Sequence, residues 1–296
     1  FGQGLIRCHQ TMLDELNALH DNSKESILNF DRALTKHVGN FMRNIARAIL
    51  FSWTRGRLAK PYGDSTTRVY YRNLAVLSAK FACMSDIALL LLTGSLKRKE
   101  MVSGRFADAI CAMYEISACL KLYEEKFQND DKVKSILKLS ILKLVKEADT
   151  AMLTNIESLP VNRVVKLLLK FLFFPFSVTN AKIDDRLIVS SSKSIADIDW
   201  LLENFSSCLC SKLKDIPDHP FYILFQGYEA GILLKALKQK VKKAGYKYQP
   251  SVTLEVWLQE LVDSDVLASE EKNDWLRLNE IVLESLKVDD FENLET

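Results

Sequence analysis

The sequence predicts an all-α protein, an antiparallel helical bundle followed by a smaller helical subdomain. Two observations carry that expectation. Only ten glycines and six prolines occur in 296 residues, too few to punctuate the many short strands of a sheet protein. Between these breakers run stretches dominated by Leu and Lys, with apolar residues three and four positions apart, the spacing of one helix face. Long helices joined by short loops pack as antiparallel neighbours. The bundle is therefore expected over residues 1–174, and the subdomain, with an acidic tail, over residues 175–296.

The elements follow in order. Ile6, Met12, Leu13, Leu16 and Leu19 share a face, and Asp21-Asn22-Ser23 ends that helix. Leu34, Val38, Phe41, Ile45, Ile49 and Trp53 mark a second over residues 30–53. Arg55-Gly56-Arg57 and Pro61-Tyr62-Gly63-Asp64 read as a loop. Asp64 or Ser65 then caps a helix over 66–92 by accepting from its first-turn N–H groups. Gly94 stops that helix, and the next covers 100–127 until Asn129-Asp130-Asp131 breaks it. A helix over 133–159 ends before Pro160; Asn162 caps another over 163–174, which Pro175 ends. Shorter helices are expected over 195–213, 222–243, 254–261 and 270–286.

Charge and composition narrow the function classes. The net charge of +2 is unevenly placed: residues 255–296 hold thirteen Asp and Glu against three Lys and Arg, leaving the remainder strongly basic. Such polarity suits docking within the chain, an anionic lipid or an acidic ligand. Nucleic acid is not expected, because the whole is near neutral and no binding motif accompanies the lysines. No apolar run approaches the roughly 18 residues that span a bilayer; 87–92 and 167–176, the latter broken by Lys170, are the longest. Cys8, Cys83, Cys111, Cys119, Cys208 and Cys210 lack metal-ligand spacing. They read as reduced, mostly buried thiols of a cytoplasmic protein.

No catalytic, cofactor-binding or metal-ligating residue is expected on this chain. Cys8 and His9 are neighbours that a helix points about 100° apart, so a buried thiol and a surface imidazole is the better account. His20, His37 and His219 are scattered without an acidic partner at ligand spacing. The pairs Glu124-Glu125, Asp184-Asp185 and Asp289-Asp290 read as solvated surface. No glycine-rich loop follows a strand.

Three basic segments are the candidates for anion or lipid contact. Residues 163–176, RVVKLLLKFLFFPF, put Arg163, Lys166 and Lys170 on one side of a very apolar helix. Such a helix is either buried in the core or lies in a membrane interface with its lysines snorkelling. Residues 235–247 hold six lysines and no acid; they form a solvated face docked on the acidic tail, or a site for anionic lipid or a CoA phosphate. Lys97, Arg98 and Lys99 form a solvated turn or an anion site at the start of a helix.

Residues 93–108 read TGSLKRKEMVSGRFAD. With FGQGLIRCH at 1–9, LAVLSAKFACMSD at 74–86, LPVNRVVKLLLKFLFFP at 159–175 and VDDF at 288–291, they resemble the C-terminal region of bacterial long-chain acyl-CoA dehydrogenases of the FadE type. Residues 215–250 show little correspondence. The resemblance implies a parent flavoenzyme that uses FAD in the first step of fatty-acid β-oxidation. Its catalytic glutamate, in an E-G-[AT]-N motif, and its flavin fold would lie upstream of Phe1. The implied partners are upstream catalytic domains of the same polypeptide, with acyl-CoA and an electron-transfer flavoprotein for the parent enzyme. Residues 97–125 resemble, more loosely, the C-terminal four-helix bundle of ordinary acyl-CoA dehydrogenases, as a degenerate second copy would. Mitochondrial very-long-chain enzymes carry such an extra domain, implicated in membrane association and quaternary packing. The analogy implies the same here, with a homo-oligomer and the inner face of the inner membrane as partners. The alternative is a free-standing helical module that binds protein or lipid; the reading frame ahead of Phe1 separates the two.

Overall fold

The computed structural model describes residues 12–20, 25–128, 130–176, 183–205, 216, 219–248 and 252–287. Among them every regular element is helical and no strand occurs. The chain divides into two compact units, Phe1–Ala196 and Asp197–Thr296.

The first unit holds α1 (Met12–His20), α2 (Ser26–Thr54), α3 (Arg68–Leu92), α4 (Glu100–Leu122), α5 (Asp131–Ser158), α6 (Arg163–Phe173) and α7 (Asp185–Ile195). Helix α3 sits at its centre, touching α2, α4 and α5. Its start is fixed by Asp64, whose Oδ1 accepts from the backbone N–H groups of Thr66 at 2.9 Å and Thr67 at 2.7 Å. The Thr67 backbone bond, first among its contacts, holds the Asp64 carboxyl below its ordinary range. Gly63 precedes it at φ +79°, where a Cβ would lie 2.4 Å from Thr67 Oγ1, so only glycine makes this entry.

Helix α3 runs directly into a 3-10 turn, Thr93–Arg98, whose Leu96 is fully buried. Helix α4 leaves that turn antiparallel to α3. It ends in a π-turn, Tyr123–Phe127, which carries both Tyr123 and Phe127 into the core. Helices α4 and α5 form the most extensive pair. Asn155 Nδ2 donates to Val102 O at 3.2 Å and Arg105 to Ser158 Oγ at 2.9 Å, so the start of α4 meets the end of α5. Fully buried Ala79, Ala88, Ala109 and Ala148 allow close approach, and Leu77, Met84, Phe106, Ile116, Ile141 and Met152 fill the space between.

Two expectations are corrected here. Helix α3 is long and apolar enough to cross a membrane by length and composition, although 56% of its most apolar stretch is buried inside the bundle. Lys80, Asp86 and several small residues interrupt its apolar string, so no uninterrupted apolar run marks it. Lys80 is neutralised within the core: its Nζ lies 2.8 Å from Asp149 Oδ1 and 4.3 Å from the centre of the Phe174 ring. No helix was expected over 185–194, where α7 lies, and the one expected over 195–213 starts at Ile198; residues 206–215 lie outside the described ones.

The second unit holds α8 (Ile198–Phe205), α9 (Pro220–Lys243), α10 (Leu254–Asp263) and α11 (Ser269–Ser285). Its core joins Leu234, Val241, Trp257, Leu258, Leu261 and Trp275, with the two indoles edge to face at 5.8 Å. His219 caps α9, its Nδ1 accepting from Phe221 N–H at 3.1 Å. Glu271 reaches back to the Ala268 N–H at 2.8 Å and also takes Lys240 of α9. Lys240 is thus one of the six lysines that docks on the acidic segment.

Candidate functional site

Helix α6 exists because Asn162 Oδ1 accepts from Val165 N–H at 2.9 Å, satisfying a first-turn donor, and because Pro175 cannot continue the ladder. Of the two accounts of this apolar helix, burial in the core holds only for its end. Phe173, with Phe174 just beyond it, is buried, whereas Val164, Leu167, Leu168 and Phe171 are 73%, 57%, 52% and 59% exposed. Trp53, at the end of α2, donates from Nε1 to Leu172 O at 3.2 Å and stands edge-on to Phe171 at 5.1 Å and to Phe176 at 6.4 Å. Exposed Leu50 and Leu58 extend the same apolar surface. A contiguous patch of this kind is the usual mark of a membrane or partner contact.

The cations of α6 are gathered around one acid. Lys166 Nζ donates to Glu157 O, and Lys170 Nζ pairs with the Glu157 carboxylate. The Lys170 bond holds that carboxyl below its ordinary range, with Lys166 and Arg163 adding to the effect. Arg163 is exposed, as are Arg98 and Lys99. The side chain of Lys97 lies outside the described residues. The Asn155–Val102 and Arg105–Ser158 bonds put the turns that carry Lys99 and Arg163 at the same end of the bundle. No hydrogen bond or ion pair among the described residues joins these two groups.

Beneath the patch, α2, α3, α5 and the Pro175-Phe176 turn border a half-open cavity of about 430 Å³, lined by Ser52, Arg55, Arg57, Arg72, Lys80 and Asp149 among others. Arg55 caps α2 in the left-handed region, φ 51°, and its guanidinium lies over the Phe176 ring at 4.3 Å. By sequence Arg55-Gly56-Arg57 is a loop only, and nothing in periodicity links it to Arg72 or Asp149.

Other residues weighed for chemistry are placed as follows. Cys8, His9, Cys208, Cys210, Asp289 and Asp290 lie outside the described residues. His37 does have an acidic partner, Glu15, at 2.7 Å, a contact between α1 and α2 that linear spacing does not show. Glu124 is not simply solvated: it accepts from Tyr71 OH at 2.9 Å and Thr67 Oγ1 at 3.1 Å. Burial first, and then the Glu124 bond, push the Tyr71 phenol up to about 12. Of the described cysteines only Cys83 is buried, and burial pushes its thiol up to about 12; Cys119 is half-buried and Cys111 exposed. No cluster of metal-ligating side chains occurs among the described residues.

Residues 6–291 match the family described as acyl-CoA dehydrogenase, C-terminal, bacterial type. The chain belongs to that family. No solved structure matches it. Acyl-CoA dehydrogenases in general use FAD, but the cavity of this C-terminal domain does not fit a flavin-and-base centre. Its single carboxylate, Asp149, is held by Lys80 and supplies no free proton acceptor. For an acyl-CoA dehydrogenase C-terminal domain the pertinent features are therefore surfaces: the α6 patch and the basic pocket below it.

Proposed function

We propose that this domain serves an FAD-dependent long-chain acyl-CoA dehydrogenase of fatty-acid β-oxidation by holding it peripherally on the inner face of the inner membrane, with the α6 patch as the contact. The supporting observation is the exposure of Val164, Leu167, Leu168 and Phe171 on one helix while Lys166 and Lys170 turn back to Glu157. The apolar side chains are thus free to enter the acyl region as the cations stay at headgroup level. Trp53 beside Phe171 suits the interfacial preference of indole.

Liposome co-sedimentation tests the proposal. Wild type should pellet with vesicles containing phosphatidylglycerol. Leu168→Glu/Phe171→Glu should weaken that binding by at least about a hundredfold, since two buried apolar side chains contribute about 1.5–3 kcal/mol each. Lys166→Glu/Lys170→Glu should weaken it in a salt-dependent way. Equal pelleting of all three proteins removes α6 from the membrane contact. Should wild type stay in the supernatant and instead gain mass with concentration, with the Leu168/Phe171 variant monomeric, the patch packs an oligomer.

A further inference from the structure

We propose that the half-open cavity between α2, α3 and α5 is a phosphate-binding pocket; this deepens the membrane reading, on which it rests only for the source of the phosphate. Four cations line it, Arg55, Arg57, Arg72 and Lys80, against one carboxylate, Asp149, which Lys80 already engages at 2.8 Å. The three arginines are left without a countercharge in the lining. Two of the lining residues carry a buried polar atom with no hydrogen-bond partner: Ser52 Oγ, on a residue 4% exposed, and Arg72 Nε. A buried donor left unmade is unfavourable, more so on a charged group, and an anion with several acceptor oxygens is the ligand toward which a small turn of either side chain would bring a partner.

Donor number and direction select phosphate over carboxylate. Three guanidinium groups and a hydroxyl from the α2 end and α3 exceed what two carboxylate oxygens can accept, and guanidinium forks match phosphate oxygens in pairs. The pocket is built rather than incidental. Gly56, at φ +70°, presses on α3 so closely that a Cβ would lie 2.8 Å from Arg72 O and 3.1 Å from Val76 Cγ2. Glycine alone lets the turn bearing Arg55 and Arg57 reach the Arg72 side of α3. Arg55, Arg57 and Phe176 also line an adjoining hollow with Trp53 and Leu58. A phosphate in the pocket would leave its ester substituent facing the apolar patch. A phospholipid headgroup and a soluble phosphate ester share that chemistry.

Thermal unfolding of the full chain tests the pocket, with inorganic phosphate and glycerol 3-phosphate titrated against chloride at constant ionic strength. Either phosphate should give a saturable rise in Tm of about 2–4 °C. That rise should vanish in Arg57→Gln and in Arg72→Gln but persist in Arg43→Gln, which removes an exposed charge elsewhere on α2. No rise in wild type, or an equal rise in all four proteins, overturns the pocket. Vesicles then tell the sources apart. A loss of about tenfold in pelleting on phosphatidate vesicles for Arg57→Gln and Arg72→Gln, but not Arg43→Gln, assigns a lipid headgroup. Unchanged pelleting with the Tm response intact assigns a soluble ester. Wild type that binds no vesicle yet keeps the Tm response defeats the membrane reading and leaves the pocket standing.

Discussion

Lys80 and Asp149 show how much a single contact decides here. Both are buried, the ammonium held between the carboxylate at 2.8 Å and the face of Phe174 at 4.3 Å. Removing one partner strands the other charge away from water. Asp149→Ala is expected to destabilise the chain by about 3–5 kcal/mol, whereas Lys80→Met/Asp149→Leu should be near neutral or stabilising. Urea unfolding measures both; a loss below about 1 kcal/mol for the single variant would mean that the pair is hydrated in solution. This contact was not legible in the sequence, since the two residues are 69 positions apart and each falls inside an ordinary amphipathic pattern. The same holds for Glu124 with Thr67 and Tyr71. Caps were legible, because Asp64 and Asn162 act on N–H groups two or three residues away.

At the scale of elements, periodicity located every long helix, and 3.6-residue spacing made α6 recognisable as amphipathic. It did not say which side of α6 would be covered. That depends on Trp53 and Glu157 arriving from α2 and α5. The crossing of α9 and α11 was equally hidden. Gly227 of α9 is buried, and a Cβ there would lie 2.2 Å from Ser285 Cβ and 2.1 Å from its Oγ. In an open helix Gly→Ala gains about 1 kcal/mol; here two helices must separate. Gly227→Ala should therefore destabilise the second unit, by about 1–3 kcal/mol, with Ser285→Gly restoring part of the loss in the double variant. Tryptophan fluorescence during urea unfolding reports it through Trp257 and Trp275. A gain in stability for Gly227→Ala would show that the helices do not cross this closely.

For the whole molecule, pH bounds the folded state from both sides. Lys240 first, and then the Ala268 N–H, hold Glu271 below its ordinary value, and the Thr67 N–H does the same for Asp64. Depressed carboxyls contribute stability that is complete above their unfolded pKa, about 4, and is lost as pH falls through the lower folded values. Tyr71 is pushed up to about 12, and burial also raises Tyr70 and Tyr123. Between about 10 and 12 the unfolded phenols release protons that the folded ones keep, so stability falls as pH rises through that window. Tm against pH should be flat from about 5 to 9 and drop on either side, the alkaline drop shrinking in Tyr71→Phe. A Tm unchanged at pH 11, with tyrosinate absorbance already developed, would refute the alkaline limb. The all-helical fold class was anticipated from the sequence, but the joints between helices, where side chains from distant segments converge, were not. The π-turn at Tyr123–Phe127 is one such joint, and it makes the length of this stretch a constraint in itself. A π-turn accommodates one residue more than the α ladder does, so deleting Glu125 lets the helix close into regular turns. The bulge absorbs that one residue, so the residues beyond would keep their facing and Phe127 would stay in the core; adding a second residue would turn them by about 100° and carry Phe127 out of it. The turn thus tolerates the loss of one residue but not the gain of another.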